Sequence, residues 1–264
     1  MRVSVGKRPY YQIPFAEGLR RVVDPAQKND RSPVFVSETP EVFRRIGFTA
    51  LPMMTNARHL RLNYYDRSEF EQYFGRMRQG KHAHGLHGVL KHLPKALEHP
   101  LAIVVNLAEN ATPGSVVAIT DMNVNEKKVV VPVLIEAQSD ADGQYIDSHL
   151  VLTVYDEENW IKKILKPALE AEKKGIGIFY FDEEKAARYN ALSLLKKGII
   201  PTGFVHNLDD PGSPVKDFFK KIRKLCNSSG GSGIPRSSTR REKRGTLDRH
   251  LLQHTWGKAD KKIG

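Results

Sequence analysis

LAIVVNLAENATPGSVVAITDMNVNEKKVVVPVLI, residues 101–135, decides the fold. It holds three apolar runs rich in β-branched residues: LAIVVN (101–106), SVVAIT (115–120) and KVVVPVLI (128–135). The connectors ENATPG and DMNVNEK bring Gly, Pro, Asn and Asp, which supply turn chemistry. A fourth run, SHLVLTVY (148–155), follows SDADG. Parallel neighbours would need crossovers of about a dozen residues or more, so these short links predict an antiparallel meander.

Upstream, residues 1–35 are punctuated by Pro and Arg without sustained period and read as an extended arm. SETPEVFRRIG (37–47) reads as a helix capped by Ser37 or Thr39, FTALPMM as a strand, and RSEFEQYFGRMR (67–78) as a helix. In KHAHGLHGVLKHLPKALEHP (81–100), Leu86, Val89, Leu90, Leu93 and Leu97 recur at helical spacing, with Pro94 expected to kink or split the helix. Downstream come a helix at 158–174 interrupted by Pro167, a strand GIFYF (177–181) and a helix at 182–197. The expected class is α+β: N-terminal helices, then a four- to five-stranded antiparallel sheet with helices packed on one face. The organisation is an arm (1–35), an α+β domain (36–210) and a basic, mostly disordered tail (211–264), in which PGSPVKDFFKKIRKLC reads as a last helix before the linker-like NSSGGSG (227–233).

At 264 residues and 40% hydrophobic composition, one substantial core is affordable. A single cysteine, Cys226, excludes an internal disulfide and fits a reducing cytoplasm. No apolar run approaches the roughly 20 residues of a membrane span, so no membrane partner is expected. Residues 216–264 carry 14 Lys and Arg against four Asp and Glu, so +10 of the formal +12 resides there. Such a tail suits non-specific contact with nucleic acid, or equally a solubilising or targeting role.

Residues 81–100 also hold five of the ten histidines, His82, His84, His87, His92 and His99. A zincin pair at i, i+4 is absent, and no cysteine or acidic cluster completes a ligand set, so neither metal nor cofactor is expected. Solvated histidines on a polar helix face remain the plain alternative. Acid–base chemistry needs less: one histidine near a reacting oxygen and a cation for the developing charge. His84 directly precedes a glycine, where backbone can approach a ligand, and Lys81 and Lys91 lie nearby as phosphate-binding cations. Such a set suits attack of a ribose hydroxyl on its adjacent phosphate. Alternation in SHLVLTVYDE places His149, Val151, Thr153 and Tyr155 on one face, polar enough to bind substrate or to sit in ordinary solvent. His59, Arg61 and Arg67 form a substrate rim or plain surface.

Taken together, HLRLNYY (59–65), HGL (84–86), LKHLPKALEHPLAIVVN (90–106), GSVVAITD (114–121), VVVPVLIE (129–136), LTVYDEEN (152–159) and GIFYFDEEKA (177–186) resemble the phage MuF C-terminal domain over about residues 45–195. Order and spacing carry the resemblance. It implies the fold group of barnase, colicin and RelE-type ribonucleases and a phage- or prophage-borne toxin or mobile-element context. His84 then matches the histidine of an HG pair, His59 an earlier histidine, and Thr153 with Tyr155 an S-V-Y strand. Thr153 stands where Ser is usual, and Phe179-Tyr180-Phe181-Asp182 brings an acid where the family carries Lys. No portal-binding or MuF-like N-terminal domain is recognisable, which suggests a stand-alone or prophage-derived copy. The resulting expectation is a metal-independent ribonuclease with catalytic His84, His59, Lys81, Thr153 and Tyr155, and with Arg61, Lys91 and His149 binding substrate. Its partners would be RNA and an immunity protein, in the bacterial cytoplasm or with a phage particle. The rival expectation is a non-catalytic nucleic-acid-binding or phage-head accessory protein.

Overall fold

The computed structural model describes residues 13–78, 82–109, 111–141, 144–172 and 177–189. Within them the chain begins with helix α1 (Phe15–Val23), a 3₁₀ turn (Pro25–Gln27) and strand β1 (Pro33–Glu38). Then come α2 (Glu41–Arg45), β2 (Pro52–Asn56), α3 (Ala57–Tyr64) and α4 (Arg67–Phe74). The histidine-rich segment forms α5 (His87–Leu90) and α6 (Leu93–Glu98). Strands β3 (Ala102–Val105), β4 (Ser115–Val124), β5 (Lys127–Ala141), β6 (Gln144–Val151) and β7 (Tyr155–Glu157) follow. A π-helical turn (Ile161–Leu165), α7 (Lys166–Glu172), β8 (Ile178–Phe181) and α8 (Glu183–Arg188) complete the described chain.

The eight strands of the described residues join one sheet in the order β1-β2-β6-β5-β4-β3-β8, with β7 paired to β5. The predicted meander is its centre: β3–β4, β4–β5 and β5–β6 are antiparallel, with Val104 opposite Val117 and Val116 opposite Val133. The fold is α+β, but the expected four- to five-stranded, wholly antiparallel sheet is too small and too simple. Strands β1 and β2 precede most of the helices, and β2 pairs with β6 in parallel, Met54 beside Leu150. The strand read in FTALPMM overlaps β2, but its parallel pairing with β6 is set by tertiary contacts that so short a strand does not announce.

The arm also differs from expectation. Residues 15–23 form an amphipathic helix whose Phe15, Leu19, Val22 and Val23 are buried. A Cβ on Gly18 would stand 2.8 Å from Val34 Cγ1, so only glycine lets α1 lie this close to β1. The helix read at 37–47 shrinks to α2 behind Pro40, while Ser37 belongs to β1 and the Thr39 hydroxyl donates to the Thr49 and Leu51 carbonyls. Pro94 occupies the second position of α6, where its missing N–H is harmless, and Leu86, Leu90, Leu93 and Leu97 are wholly buried. Pro167 cannot donate to Lys163, and the chain widens just before it into the π turn, with Lys166 N–H reaching Ile161 O. Of the helix read at 182–197, residues 182–189 are described, and Glu183–Arg188 form α8. The basic tail lies outside them. Among the described residues no helix is long and apolar enough to cross a membrane.

Candidate active site

A cavity of about 520 Å³ opens between α3, the 82–86 loop, the β3–β4 connection and the end of β6. It brings together four residues that sequence reasoning named as catalytic: His59, His84, Thr153 and Tyr155. Asn63, His82, Asn106, Glu109, Thr112 and Pro132 complete its polar and conformational features, Glu109 being the one carboxylate among the lining residues.

His59 and Asn63 stand one turn apart on α3, a helix capped at its start by the Asn56 side chain accepting from Arg58 N–H. The C-terminal carbonyls of that helix would be orphans. The HGL segment satisfies them: His84 N–H donates to Leu62 O (2.9 Å), Gly85 N–H to Tyr65 O (3.0 Å) and Leu86 N–H to Asn63 O (2.8 Å). Gly85 makes the turn at φ +63°, in the left-handed region that glycine enters without strain. The histidine is therefore presented by a backbone ladder, not by a helix face.

His84 Nδ1 lies 3.8 Å from Asp156 Oδ1, and Lys127 Nζ holds the other carboxylate oxygen at 3.2 Å. The His84 ring stands beside the Tyr155 ring, centroids 6.1 Å apart. Burial pulls the His84 pKa below the ordinary histidine value, Asp156 opposes this, and His82 adds to it. His84 is thus a neutral base near pH 7, oriented by a carboxylate. Burial, assisted by Glu157, raises the Tyr155 phenol, which stays a protonated donor.

Pro132 explains the position of His59. Opposite residues of an antiparallel hydrogen-bonded pair exchange two N–H···O bonds. Leu152 N–H donates to Pro132 O (3.0 Å), but proline has no N–H to return to Leu152 O. His59 Nδ1 meets that carbonyl instead. A nitrogen facing a carbonyl must carry the proton, which leaves Nε2 as the nitrogen of His59 that exchanges one. Regular β6 pairing ends at Val151, and the alternation read through Tyr155 breaks at the same rung.

Thr153 Oγ1 donates to Asn63 Oδ1 (3.1 Å). Asn63 is 1% exposed, yet among the described residues its Nδ2 has no hydrogen-bond partner. A buried amide donor left so within a cavity wall is a costly feature, of the kind kept for a ligand or water.

Other site expectations fail or fall elsewhere. Arg61 does not bind substrate: it is 5% exposed, and its guanidinium donates to the carbonyls of Val22, Gln27, Lys28 and Asp30. His149 is not on a wet face: it is fully buried, accepts Glu136 N–H at Nδ1, contacts Thr49 O through Nε2 and packs on Phe48. Lys91 is exposed at the end of α5 and does not line the cavity. Lys81 lies outside the described residues. Sequence reasoning did not single out Asn63, Asp156 or Pro132, although Asn63 follows His59 by a helical turn and Asp156 adjoins Tyr155. Among the described residues no group of three or more His, Cys, Asp or Glu is placed to hold a metal ion.

No curated protein and no solved structure matches the chain. Residues 76–187 match the family model of the phage MuF-C-terminal domain, so the stretch bearing His84, Pro132, Thr153, Tyr155 and Asp156 is similar to that phage domain, while His59 and Asn63 precede it.

Proposed function

We propose that this protein is a phage-derived, metal-independent endoribonuclease of the toxin type. The observation that carries the reading is the convergence of His59, His84, Asn63, Thr153 and Tyr155 on one cavity, with His84 held neutral and backed by Asp156. Neutral His84 takes the proton of a ribose 2′-hydroxyl, whose oxygen attacks the adjacent phosphorus. His59, protonated at Nε2, gives its proton to the departing 5′-oxygen, leaving a 2′,3′-cyclic phosphate and a 5′-hydroxyl. Tyr155 donates to a phosphate oxygen as charge builds on it, Thr153 holds the Asn63 amide by its oxygen, and Asn63 adds its orphan N–H. Lys81 is retained in this proposal as a phosphate cation; Lys91 is not. An immunity protein covering the cavity in the cytoplasm of the producing cell completes the proposed context.

The test is cleavage of mixed RNA by the full chain in EDTA. The chain must keep residues 15–35, because α1 and β1 are part of the core. Cleavage to cyclic-phosphate ends is expected, with His84→Ala and His59→Ala each slower by about 10²–10⁴-fold. A folded parent that leaves RNA intact would sink the reading and favour a nucleic-acid-binding accessory protein, the reading that the basic residues 216–264 support.

A further inference from the structure

The histidine-rich segment serves two concavities. Its beginning lines the cavity above, and its end lines a second one of about 430 Å³. There His92, Lys95 and His99 face Asp121 and Asn123 of β4 and Lys185 of α8. His92, Lys95 and His99 recur at spacings of three and four, which sets them along one side of the segment, and all three are exposed. Lys185 Nζ is fixed at the opposite wall by His99 O (2.8 Å) and Asp182 (3.1 Å). The half-buried Val89, Ala96 and Met122 provide an apolar floor.

The single carboxylate among these lining residues is already matched from inside the protein. Lys128, only 1% exposed, places Nζ 3.5 Å from Asp121 Oδ1, and the Tyr189 hydroxyl donates to the same oxygen at 2.7 Å. Burial lowers the Lys128 pKa to about 8, which still leaves it largely charged at pH 7. The field at the mouth is therefore set by the exposed Lys95, with Lys185 offset in part by its ion pair with Asp182. The volume is that of a small-ligand site. A cationic rim over an apolar floor matches a phosphate with its attached sugar and base.

We propose that this groove binds a phosphate of the nucleic-acid strand whose scissile linkage occupies the first cavity. The proposal rests on the ribonuclease reading for its choice of ligand. It is tested on the full chain with a thymidylate pentamer, which lacks the 2′-hydroxyl and survives the proposed chemistry. Histidine ring resonances are followed by NMR and assigned with His92→Gln and His99→Gln. Saturable shifts of His92 and His99 are expected, with apparent affinity at these two rings weakened about three- to tenfold in Lys95→Ala. The proposal is overturned if these rings stay still while His84 responds, if they respond identically in Lys95→Ala, or if a glutamate pentapeptide moves them and the oligonucleotide does not. Failure of the ribonuclease reading shows separately, as intact RNA with the unaltered protein, and leaves the pentamer response readable.

Discussion

Gly85 and Asn63 show how much of the site depends on single residues. Gly85 turns the backbone at φ +63° so that His84 can dock on the end of α3, and a Cβ there meets Asp66 Cβ at an ordinary 3.5 Å. Gly85→Ala should therefore cost about 1 kcal/mol of strain, not a clash, and should lower turnover by shifting His84; melts paired with RNA cleavage assays check both. Thr153→Val removes the donor to a buried carbonyl oxygen, with an expected loss of about 1–3 kcal/mol in denaturant titration. His84 titrates below the ordinary histidine value near 6.5. Its role as base then predicts that kcat/KM holds as pH falls to that value and drops only below it; an acidic limb above it would contradict the assignment. His149 is shifted in the same direction, again by burial. Because the fold favours both neutral rings, the stability they provide is complete above the unfolded histidine pKa and is lost as pH falls through the folded values. The melting temperature should accordingly fall as pH drops below about 6.5, the ordinary histidine value.

At the scale of elements, α3 does two jobs on opposite sides. One side carries His59 and Asn63 to the cavity; the other sends Arg61 into the turn after α1, where four carbonyls receive its guanidinium. Arg61→Ala should destabilise by about 3–5 kcal/mol and expose residues 24–30 to protease before the sheet unfolds, as limited proteolysis can show. Arg61→Lys should rescue little, since one ammonium cannot reproduce the planar fork. The meander and the buried leucines of the 86–97 segment were legible in sequence because runs of Val and Ile and a three-to-four spacing state burial directly. The arm helix carries the same three-to-four spacing in Phe15, Leu19, Val22 and Val23, but over nine residues framed by Pro and Arg it reads as an irregular arm. His149 and Arg61 misled for a common reason: a polar residue satisfied by carbonyls far away in the chain looks, in sequence, like one waiting for a ligand.

For the whole molecule, the mixed sheet brings residues 59–63, 82–84 and 152–156 together from three separate parts of the chain, a convergence that spacing alone did not reveal. The excess positive charge lies in residues 216–264, apart from these segments in sequence. Removing those residues should leave cleavage of a dinucleotide nearly unchanged while weakening capture of long RNA and flattening its salt dependence; loss of both would transfer the activity to the tail. The rung that Pro132 leaves half-made amounts to a short edge in the interior of the sheet, occupied by a side chain where a strand would otherwise pair. Pro132→Val would close it: the regained backbone bond and the looser unfolded chain are each worth about 1 kcal/mol and oppose each other. The variant should melt close to the parent yet release His59 from Leu152, so that a protein of unchanged stability loses its chemistry. An interior proline of this kind keeps one strand permanently unfinished, and the acid of the proposed reaction is what fills the gap.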